Sequence, residues 1–305
     1  MLLTDVLREF IFEIQIKNYS IRTQKSYKNS NVLFQNYIKE KYNILELEEI
    51  NYLHIKEYVK FQHQKGRKPT YINSILKTLR SFFEYCTKES YINVNPCKKV
   101  SWQREGKVVI EAFNDSEVIK MLQAYNYSNY LNARNKTIMA TLFDTGIRNL
   151  ELCSLTRLDV RETIIRILGK GNKERYVSIS PMLKKIMIKY ERIRDFYFTD
   201  KIINDNNYFL SNNCRPLTVE AIERVVKIAG EKAEIRKEIR CSPHTARHYF
   251  AQAQLRNGLD VYSLSRLLGH ENISITKRYL QSIQDEEILE LSIKTSPLMN
   301  LKGKK

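Results

Sequence analysis

The sequence has no apolar run that approaches the length needed to cross a bilayer, about 20 residues. Its N-terminal segment, MLLTDVLREF, carries acidic residues where a secretory signal peptide has a basic start. The five cysteines are odd in number, lie far apart and form no C-x-x-C pair, which argues against a disulfide framework and a zinc site. These absences predict a cytoplasmic protein with no membrane partner, whose cysteines are reduced packing residues.

Metal-binding motifs are absent as well. The sequence has no H-E-x-x-H and no similarly short spacing of possible ligands. Two histidines and a carboxylate could still form a zinc site, but no spacing in the sequence supports this alternative. We therefore expect no metal ion and no cofactor. The chain also has no internal repeat and no low-complexity segment.

Acidic residues are scarce relative to basic ones. The 51 Lys and Arg residues outnumber the 34 Asp and Glu residues and give a formal net charge of +17. Such an excess predicts a polyanionic partner. Nucleic acid fits this prediction, and an acidic membrane surface is the alternative. The excess is spread along the chain, +7 over residues 1–106 and +10 over residues 107–305, so both parts could contact phosphate groups.

The pattern of apolar residues predicts two domains. The first hundred residues contain four segments with a helical spacing near 3.6, and the last is followed by Pro96 and the polar, basic stretch CKKVSWQREGK. We therefore predict a helical domain at residues 1–95, a linker at residues 96–110 and a second domain at residues 111–305. In the second domain, ETIIRIL and RYVSIS flank GKGNKE and predict a β-hairpin, while the remaining segments predict helices.

A group of residues suited to chemistry on phosphate follows a fixed order. His244 and Arg247 lie in SPHTARHYF, His270 and Tyr279 lie in RLLGHENISITKRYLQ, and Arg148 lies earlier, in TLFDTGIRNLEL. Side chains of these types bind phosphate oxygens, transfer protons and supply an oxygen nucleophile. Together they predict covalent chemistry on a phosphodiester.

Each of these residues also has a structural alternative. Tyr279 could attack phosphorus and keep the energy of the broken ester in a phosphotyrosyl bond, or it could simply cover one face of a helix. Arg148 and Arg247 could bind the nonbridging oxygens, although Arg148 could equally form an ion pair with Glu151. The two candidate histidines could donate to phosphate or transfer a proton. His248, next to Arg247, is predicted to point elsewhere as a buried packing residue.

The predicted hairpin turn offers a further acid. A lysine near DNA could protonate a departing 5′ oxygen, which arginine does poorly because its pKa exceeds about 12. Lys170 and Lys173 are the two candidates, and a solvated basic turn is the structural alternative. We expect Lys173 and Arg175 to contact backbone phosphates.

Four motifs resemble those of the tyrosine recombinase, or phage integrase, family, which includes the Xer-type recombinases. They are TGIRNLELCSL, LGKGNKERYV, SPHTARHYFA and the LLGH that precedes Tyr279. The N-terminal third is similar to the family only in its pattern. The resemblance implies a mainly helical protein, with a four-helix SAM-like domain and an α+β catalytic domain that contains a small β-hairpin. It also favours Lys170 as the acid and implies a supporting role for Glu151.

The resemblance implies a site-specific DNA recombinase that cuts and rejoins strands through a 3′-phosphotyrosyl intermediate. Its expected partners are double-stranded recombination sites, a homo-tetramer or hetero-tetramer on DNA, and an accessory directionality protein. The expected location is the cytoplasm, in association with the nucleoid, for a protein that is bacterial or encoded by a phage. Integration and excision of a mobile element, or Xer-type resolution of chromosome or plasmid dimers, are both open. A type IB topoisomerase, a catalytically silent DNA-binding protein and a phosphohydrolase are the alternatives of other classes.

The segment DEEILELSI, at residues 285–293, follows the candidate nucleophile. Its apolar spacing predicts a short helix that buries its apolar face against another surface. The family resemblance implies that this surface often belongs to a neighbouring protomer.

Overall fold

The computed structural model describes residues 1–106, 110–169 and 173–282, together with residues 292, 293, 296 and 299. The chain divides into two compact units, Met1–Lys107 and Val108–Lys305. Within these described ranges, no helix has both the length and the apolar character needed to cross a membrane. The linker at residues 96–110 stays a prediction, and most of the segment DEEILELSI lies outside the described residues.

The first unit is helical. Its elements are α1 (Leu3–Ile16), α2 (Ile21–Tyr42), α3 (Tyr52–Gln64), α4 (Pro69–Lys88) and a 3₁₀ helix (Pro96–Lys99). Helix α2 begins at Ser20, whose hydroxyl accepts a hydrogen bond from the backbone of Thr23, and α3 begins at Asn51, whose amide oxygen accepts from Leu53 and His54. Apolar residues from all four helices form one core, which includes Phe34, Tyr58, Phe82 and Phe83.

The second unit combines helices with one small sheet. Its elements are α5 (Asp115–Gln123), α6 (Tyr130–Thr145), α7 (Asn149–Ser154), β1 (Ile164–Leu168), β2 (Glu174–Ser178), α8 (Pro181–Tyr197), α9 (Val219–Lys232), α10 (Pro243–Arg256), α11 (Val261–Leu268), α12 (Ile273–Lys277) and a 3₁₀ helix (Arg278–Ser282). Strands β1 and β2 are antiparallel, with Ile164 opposite Ser178 and Leu168 opposite Glu174. The predicted fold class, mainly α with a β-hairpin, is confirmed.

Helix α6 lies at the centre of the second unit. Its interior threonines donate their hydroxyls to backbone carbonyls four residues earlier, Thr137 to Ala133 and Thr141 to Thr137, both at 2.8 Å. The helix ends at Gly146, which has a positive φ of 58°. A Cβ at this position would lie 2.3 Å from Cδ1 of Phe250, so only glycine allows α10 to approach. This close contact fixes the start of the segment that carries Arg148.

A small apolar cluster contains the side chain of Tyr279. It contains Leu264 and Leu268 of α11, Phe250 and Leu255 of α10, and Tyr279 of the last 3₁₀ helix. The aromatic ring of Tyr279 therefore packs against α10, which carries His244 and Arg247, and against α11, which His270 follows. Burial of these side chains fixes where the tyrosine hydroxyl lies.

Candidate active site

Helix α10 carries two of the candidate residues, His244 and Arg247. It begins at Ser242, whose hydroxyl accepts from the backbone of Thr245 at 3.2 Å. His244, Arg247 and His248 follow at the i, i+3 and i+4 positions, which lie on one face of a helix. The rings of His244 and His248 have centroids 4.2 Å apart. One helix face therefore carries two imidazoles and a guanidinium.

Arg247 connects three parts of the second unit. Its Nη1 donates to the carbonyl of Gly146 at 2.7 Å, and its Nη2 donates to the carbonyl of Leu268 at 2.6 Å. Nη2 also lies 3.2 Å from Nε2 of His270, whose Nδ1 lies 2.8 Å from the hydroxyl of Thr276. Burial, together with the charge of Arg148, lowers the pKa of Arg247 to about 10. The guanidinium is still charged at neutral pH, in a position where an anion would stabilise it.

Glu151 binds two further arginines. The backbone N–H of Arg148 donates to Oε2 of Glu151 at 2.9 Å, and its Nη1 donates to Oε1 at 2.9 Å. Arg175 grips the same carboxylate with Nη1 and Nη2, both at 2.7 Å. Burial alone would raise the pKa of Glu151, but the hydrogen bonds and charges of the two arginines outweigh it and hold the pKa at about 2. The ion pair between Arg148 and Glu151, left as an alternative by the sequence, is formed.

The same cluster reaches the turn after α11. Arg148 donates from Nη2 to the carbonyl of Gly269 at 2.8 Å, and Arg175 donates from Nε to the carbonyl of Leu267 at 2.9 Å. Gly269 has a positive φ of 62°, and a Cβ there would lie 3.0 Å from Cδ of Arg175. The glycine of the LGH motif therefore lets the turn lie directly on Arg175.

The position of Arg175 does not fit the predicted contact with a backbone phosphate. In the ladder it stands opposite Ile167, and Val177, two residues on, stands opposite Ile165, so strand alternation directs Arg175 to the buried side of the hairpin. Its side chain is only 13% exposed, and its donors go to Glu151 and a backbone carbonyl. Lys173 is exposed, as a phosphate contact requires. Lys170 lies outside the described residues.

The hydroxyl of Tyr279 lies 2.9 Å from Nδ1 of His248. The prediction that His248 points elsewhere is wrong, because residues 244 and 248 are separated by one helical turn and share a face. Burial raises the pKa of Tyr279, and the charges of Arg247 and Arg148 oppose this effect. The hydroxyl therefore keeps its proton at neutral pH and shares a hydrogen bond with the imidazole. The i, i+4 spacing from His244 was the signal in the sequence.

All three histidines of the site have a pKa below the usual value. Burial is the first cause for His244, and the charges of Arg247 and Arg148 add to it. Burial and Arg247 lower the pKa of His270 to about 4. The imidazoles are therefore neutral at neutral pH, and the positive charge of the site comes from its arginines. Among the described residues, no group of three or more His, Cys, Asp or Glu side chains could hold a metal ion.

The sequence profile of the phage integrase family matches residues 111–286. The chain belongs to the phage integrase family. Tyrosine recombinase XerC of Thermodesulfovibrio yellowstonii is 29% identical over 297 residues, which cover 96% of each chain. Tyrosine recombinase XerD of Staphylococcus aureus is 30% identical over 278 residues, which cover 90% of this chain and 92% of the relative.

This phage integrase family member also shares its fold with a solved structure. The crystal structure of the XerH site-specific recombinase, bound to a palindromic difH substrate after cleavage, superposes with a TM-score of 0.74. The match covers 93% of this chain and 82% of XerH, at 19% identity. The predicted family is confirmed, and the chain is a tyrosine recombinase, an enzyme that breaks and rejoins DNA strands. The roles of its individual residues stay predictions.

Glu151 should be the residue on which the stability of this recombinase site depends most. Glu151→Gln leaves Arg148 and Arg175 without their carboxylate, and removal of one partner from a buried ion pair costs about 3–5 kcal/mol. Urea unfolding of the catalytic unit should show this loss in the free energy of unfolding. Glu174→Gln is the matched control, because Glu174 pairs with Arg166 at the surface, where a pair contributes about 0–1 kcal/mol.

The pH dependence gives a second check on Glu151. Its pKa falls from 4.5 to about 2 on folding, so its stabilising effect is complete above pH 4.5 and is lost as the pH falls toward 2. The difference in unfolding free energy between wild type and Glu151→Gln should therefore shrink over this window. A difference that stays constant down to pH 2 would contradict the ion-pair explanation.

Proposed function

We propose that Tyr279 of this recombinase attacks the scissile phosphate and forms a 3′-phosphotyrosyl bond, while Arg148 and Arg247 bind its nonbridging oxygens. One observation carries the proposal. Arg247 donates to the carbonyl of Gly146, two residues before Arg148, and shares helix α10 with the histidine that contacts Tyr279. Hydrogen bonds to backbone carbonyls hold both guanidiniums, and a hydrogen bond to a residue of helix α10 holds the phenol. Fixed donors of this kind stabilise charge as it develops in a transition state.

His244 and His270 support the phosphate in this proposal. In the free protein both imidazoles are neutral, and Nε2 of His270 faces a donor of Arg247. A bound phosphate brings negative charge, which raises the pKa of nearby histidines and favours their donor form. The two histidines then donate to phosphate oxygens. Lys170 is the proposed acid for the leaving 5′ oxygen, with Lys173 as a phosphate contact, and Glu151 orients Arg148.

Integration and excision of a mobile element is the biological role we propose, with assembly as a tetramer on two recombination sites. The basic charge of both units supports DNA contacts from each of them. The second candidate is Xer-type dimer resolution, which is favoured by the similarity to XerC and XerD over nearly the whole chain. In either role the protein acts at the nucleoid, and an accessory protein sets the direction of exchange.

Sequencing of covalently bound DNA separates the two roles. DNA fragments that carry the protein after denaturation should map to the two ends of an inserted element and to its empty target site. Fragments that map to a single palindrome in chromosomes or plasmids with no inserted element would instead establish dimer resolution. Mass spectrometry of the bound peptide should locate the nucleotide on Tyr279.

Plasmid substrates test the alternatives of other classes. A recombinase should change the connectivity of a plasmid with two sites and leave a plasmid with no site supercoiled. Relaxation of the plasmid with no site would indicate a topoisomerase, and nicks that are never resealed would indicate a phosphohydrolase.

The affinity for DNA should fall steeply with salt. Each phosphate that is neutralised by a lysine or arginine releases counterions and contributes about −0.9 to the log–log slope. With contacts from both units, we expect a slope steeper than about −3 in a fluorescence anisotropy titration. The isolated second unit should give a shallower slope than the whole chain. Equal slopes would remove the first unit from the DNA interface.

A further inference from the structure

The hydroxyl of Tyr279 contacts a histidine that has no assigned role. Nδ1 of His248 lies 2.9 Å from the phenolic oxygen, and the ring centroids are 5.4 Å apart. This distance lies within the range for direct proton transfer, about 2.6–3.2 Å. The tyrosine ring is held in the apolar cluster of α10 and α11, and His248 belongs to α10 itself. Both partners of the hydrogen bond are therefore fixed by packing.

Both partners of this hydrogen bond are uncharged in the free protein. Burial lowers the pKa of His248 to about 4, and the neighbouring His244, Arg247 and His270 add to the effect. The imidazole is therefore neutral, whereas the phenol keeps its proton because burial raises the pKa of Tyr279. In the tautomer whose proton lies on Nε2, Nδ1 of His248 accepts the hydrogen bond of the phenol.

A buried phenol needs a base at the moment of attack. The arginines of the site cannot serve, because a guanidinium stays protonated. His270 faces Arg247 with Nε2 and Thr276 with Nδ1, so both of its ring nitrogens are engaged. His248 is a neutral imidazole, and its Nδ1 already lies at hydrogen-bond distance from the phenolic oxygen.

We propose that His248 is a catalytic residue of this recombinase, the general base that takes the proton of Tyr279 as the tyrosine attacks phosphorus. The inference rests on the proposed function of Tyr279. In the cleavage step the bond from Oη to phosphorus forms and the bond from phosphorus to the 5′ oxygen breaks. The phenolic proton passes to Nδ1 of His248, and the 5′ oxygen takes its proton from the general acid. When the strand is rejoined, His248 returns its proton to Tyr279.

The imidazolium that forms on His248 must be stabilised by a negative charge. His248 is faced by His244 and Arg247 from its own helix, by His270 from the turn after α11 and by Tyr279. Three of these groups disfavour a second positive charge in the free protein. The phosphate gains negative charge when the phenol attacks, so the imidazolium is stabilised only when the reaction needs it.

Two substitutions separate proton transfer from positioning. His248→Asn keeps an oxygen that can accept the hydrogen bond near the place of Nδ1, but an amide does not take up a proton. His248→Ala removes both functions and leaves room for free imidazole. Single-turnover formation of the covalent adduct on a nicked suicide substrate measures the chemical step. General base catalysis contributes about 10²–10⁴-fold, so both variants should be slowed by at least about 10²-fold.

Three further arms complete the experiment. Imidazole in the buffer should accelerate His248→Ala and leave His248→Asn unchanged. A substrate with sulfur at the bridging 5′ position, which leaves without a proton, should rescue neither variant. Tyr249→Phe is the matched control, because Tyr249 follows His248 on α10 and donates to Asp115, and it should react at the wild-type rate. Thermal unfolding and DNA binding of each variant report whether it is folded.

The outcomes separate this inference from the proposed function. A wild-type rate for His248→Asn would limit His248 to positioning, and faster cleavage by His248→Ala would mean that it holds Tyr279 back. Rescue by sulfur, or no response of His248→Ala to imidazole, also overturns the proposal. In each of these cases Tyr279 remains the nucleophile as long as Tyr279→Phe forms no adduct. An adduct with Tyr279→Phe would overturn the proposed function itself.

Discussion

Tyr279→Phe should bind recombination-site DNA with wild-type affinity and form no covalent adduct. The substitution removes only the nucleophilic oxygen, and loss of a nucleophile slows an enzyme by at least about 10⁴-fold. The phenyl ring still packs in the apolar cluster of α10 and α11, and the lost hydrogen bond to His248 costs about 1 kcal/mol of unfolding free energy. Adduct yield on a nicked suicide substrate, measured by denaturing electrophoresis, tests the prediction.

Binding is the internal control for this experiment. The same protein preparation should shift the DNA in a native gel at wild-type concentrations, which shows that the phenylalanine variant is folded. Tyr249→Phe removes a tyrosine hydroxyl from the neighbouring helix and should give the full adduct yield. Undiminished adduct with Tyr279→Phe would assign the attack to another residue.

Lys170→Ala should slow strand cleavage by about 10²–10⁴-fold, the usual range for loss of a general acid. The reason is chemical: the 5′ oxygen leaves poorly as an alkoxide, and the arginines of the site hold their protons too tightly to protonate it. A substrate with a bridging 5′ sulfur leaves without a proton and should therefore restore much of the lost rate. Rapid-quench measurement of both substrates gives the two rates.

Lys173→Ala provides the comparison, because Lys173 is exposed and lies close to Lys170 in the chain. Its defect should be smaller, should depend on salt and should not respond to sulfur. Sulfur rescue of Lys173→Ala would move the general acid to Lys173. Rescue of neither variant would leave the hairpin with an electrostatic role alone.

The elements of the fold were predictable where their signals are local. The helical spacing of the first hundred residues predicts α1 to α4, and two β-rich runs around GKGNKE predict β1 and β2. The family motifs likewise identify Arg148, Arg247, His270 and Tyr279 as a group. Their residue types follow from the chemistry, but their order in the sequence contains no distances. The hydrogen bonds of Arg247 to carbonyls at residues 146 and 268 depend on tertiary packing.

Two residues show where the sequence argument failed. For His248, adjacency to Arg247 predicts a different direction, whereas the i, i+4 spacing from His244 predicts the shared helix face that the structure has. For Arg175, strand alternation predicts that its side chain lies on the same face as Val177. The sequence does not predict that Glu151 lies beneath this strand, because the approach of α7 to the hairpin depends on tertiary packing. The residue types can be read from the sequence, whereas tertiary packing determines which residues contact each other.

The arginines around Glu151 carry more positive charge than its carboxylate can neutralise. Among the described residues, three guanidiniums, those of Arg148, Arg175 and Arg247, surround one carboxylate and leave two positive charges in excess. A phosphodiester carries one negative charge, whereas the five-coordinate phosphorus formed when a deprotonated phenol attacks carries two. In the proposed mechanism the phenolic proton stays in the site on His248, so the total charge of the site does not change. Negative charge is instead concentrated on the phosphate oxygens, which are the atoms that Arg148 and Arg247 would bind, so the arginines would stabilise the transition state more than the intact DNA.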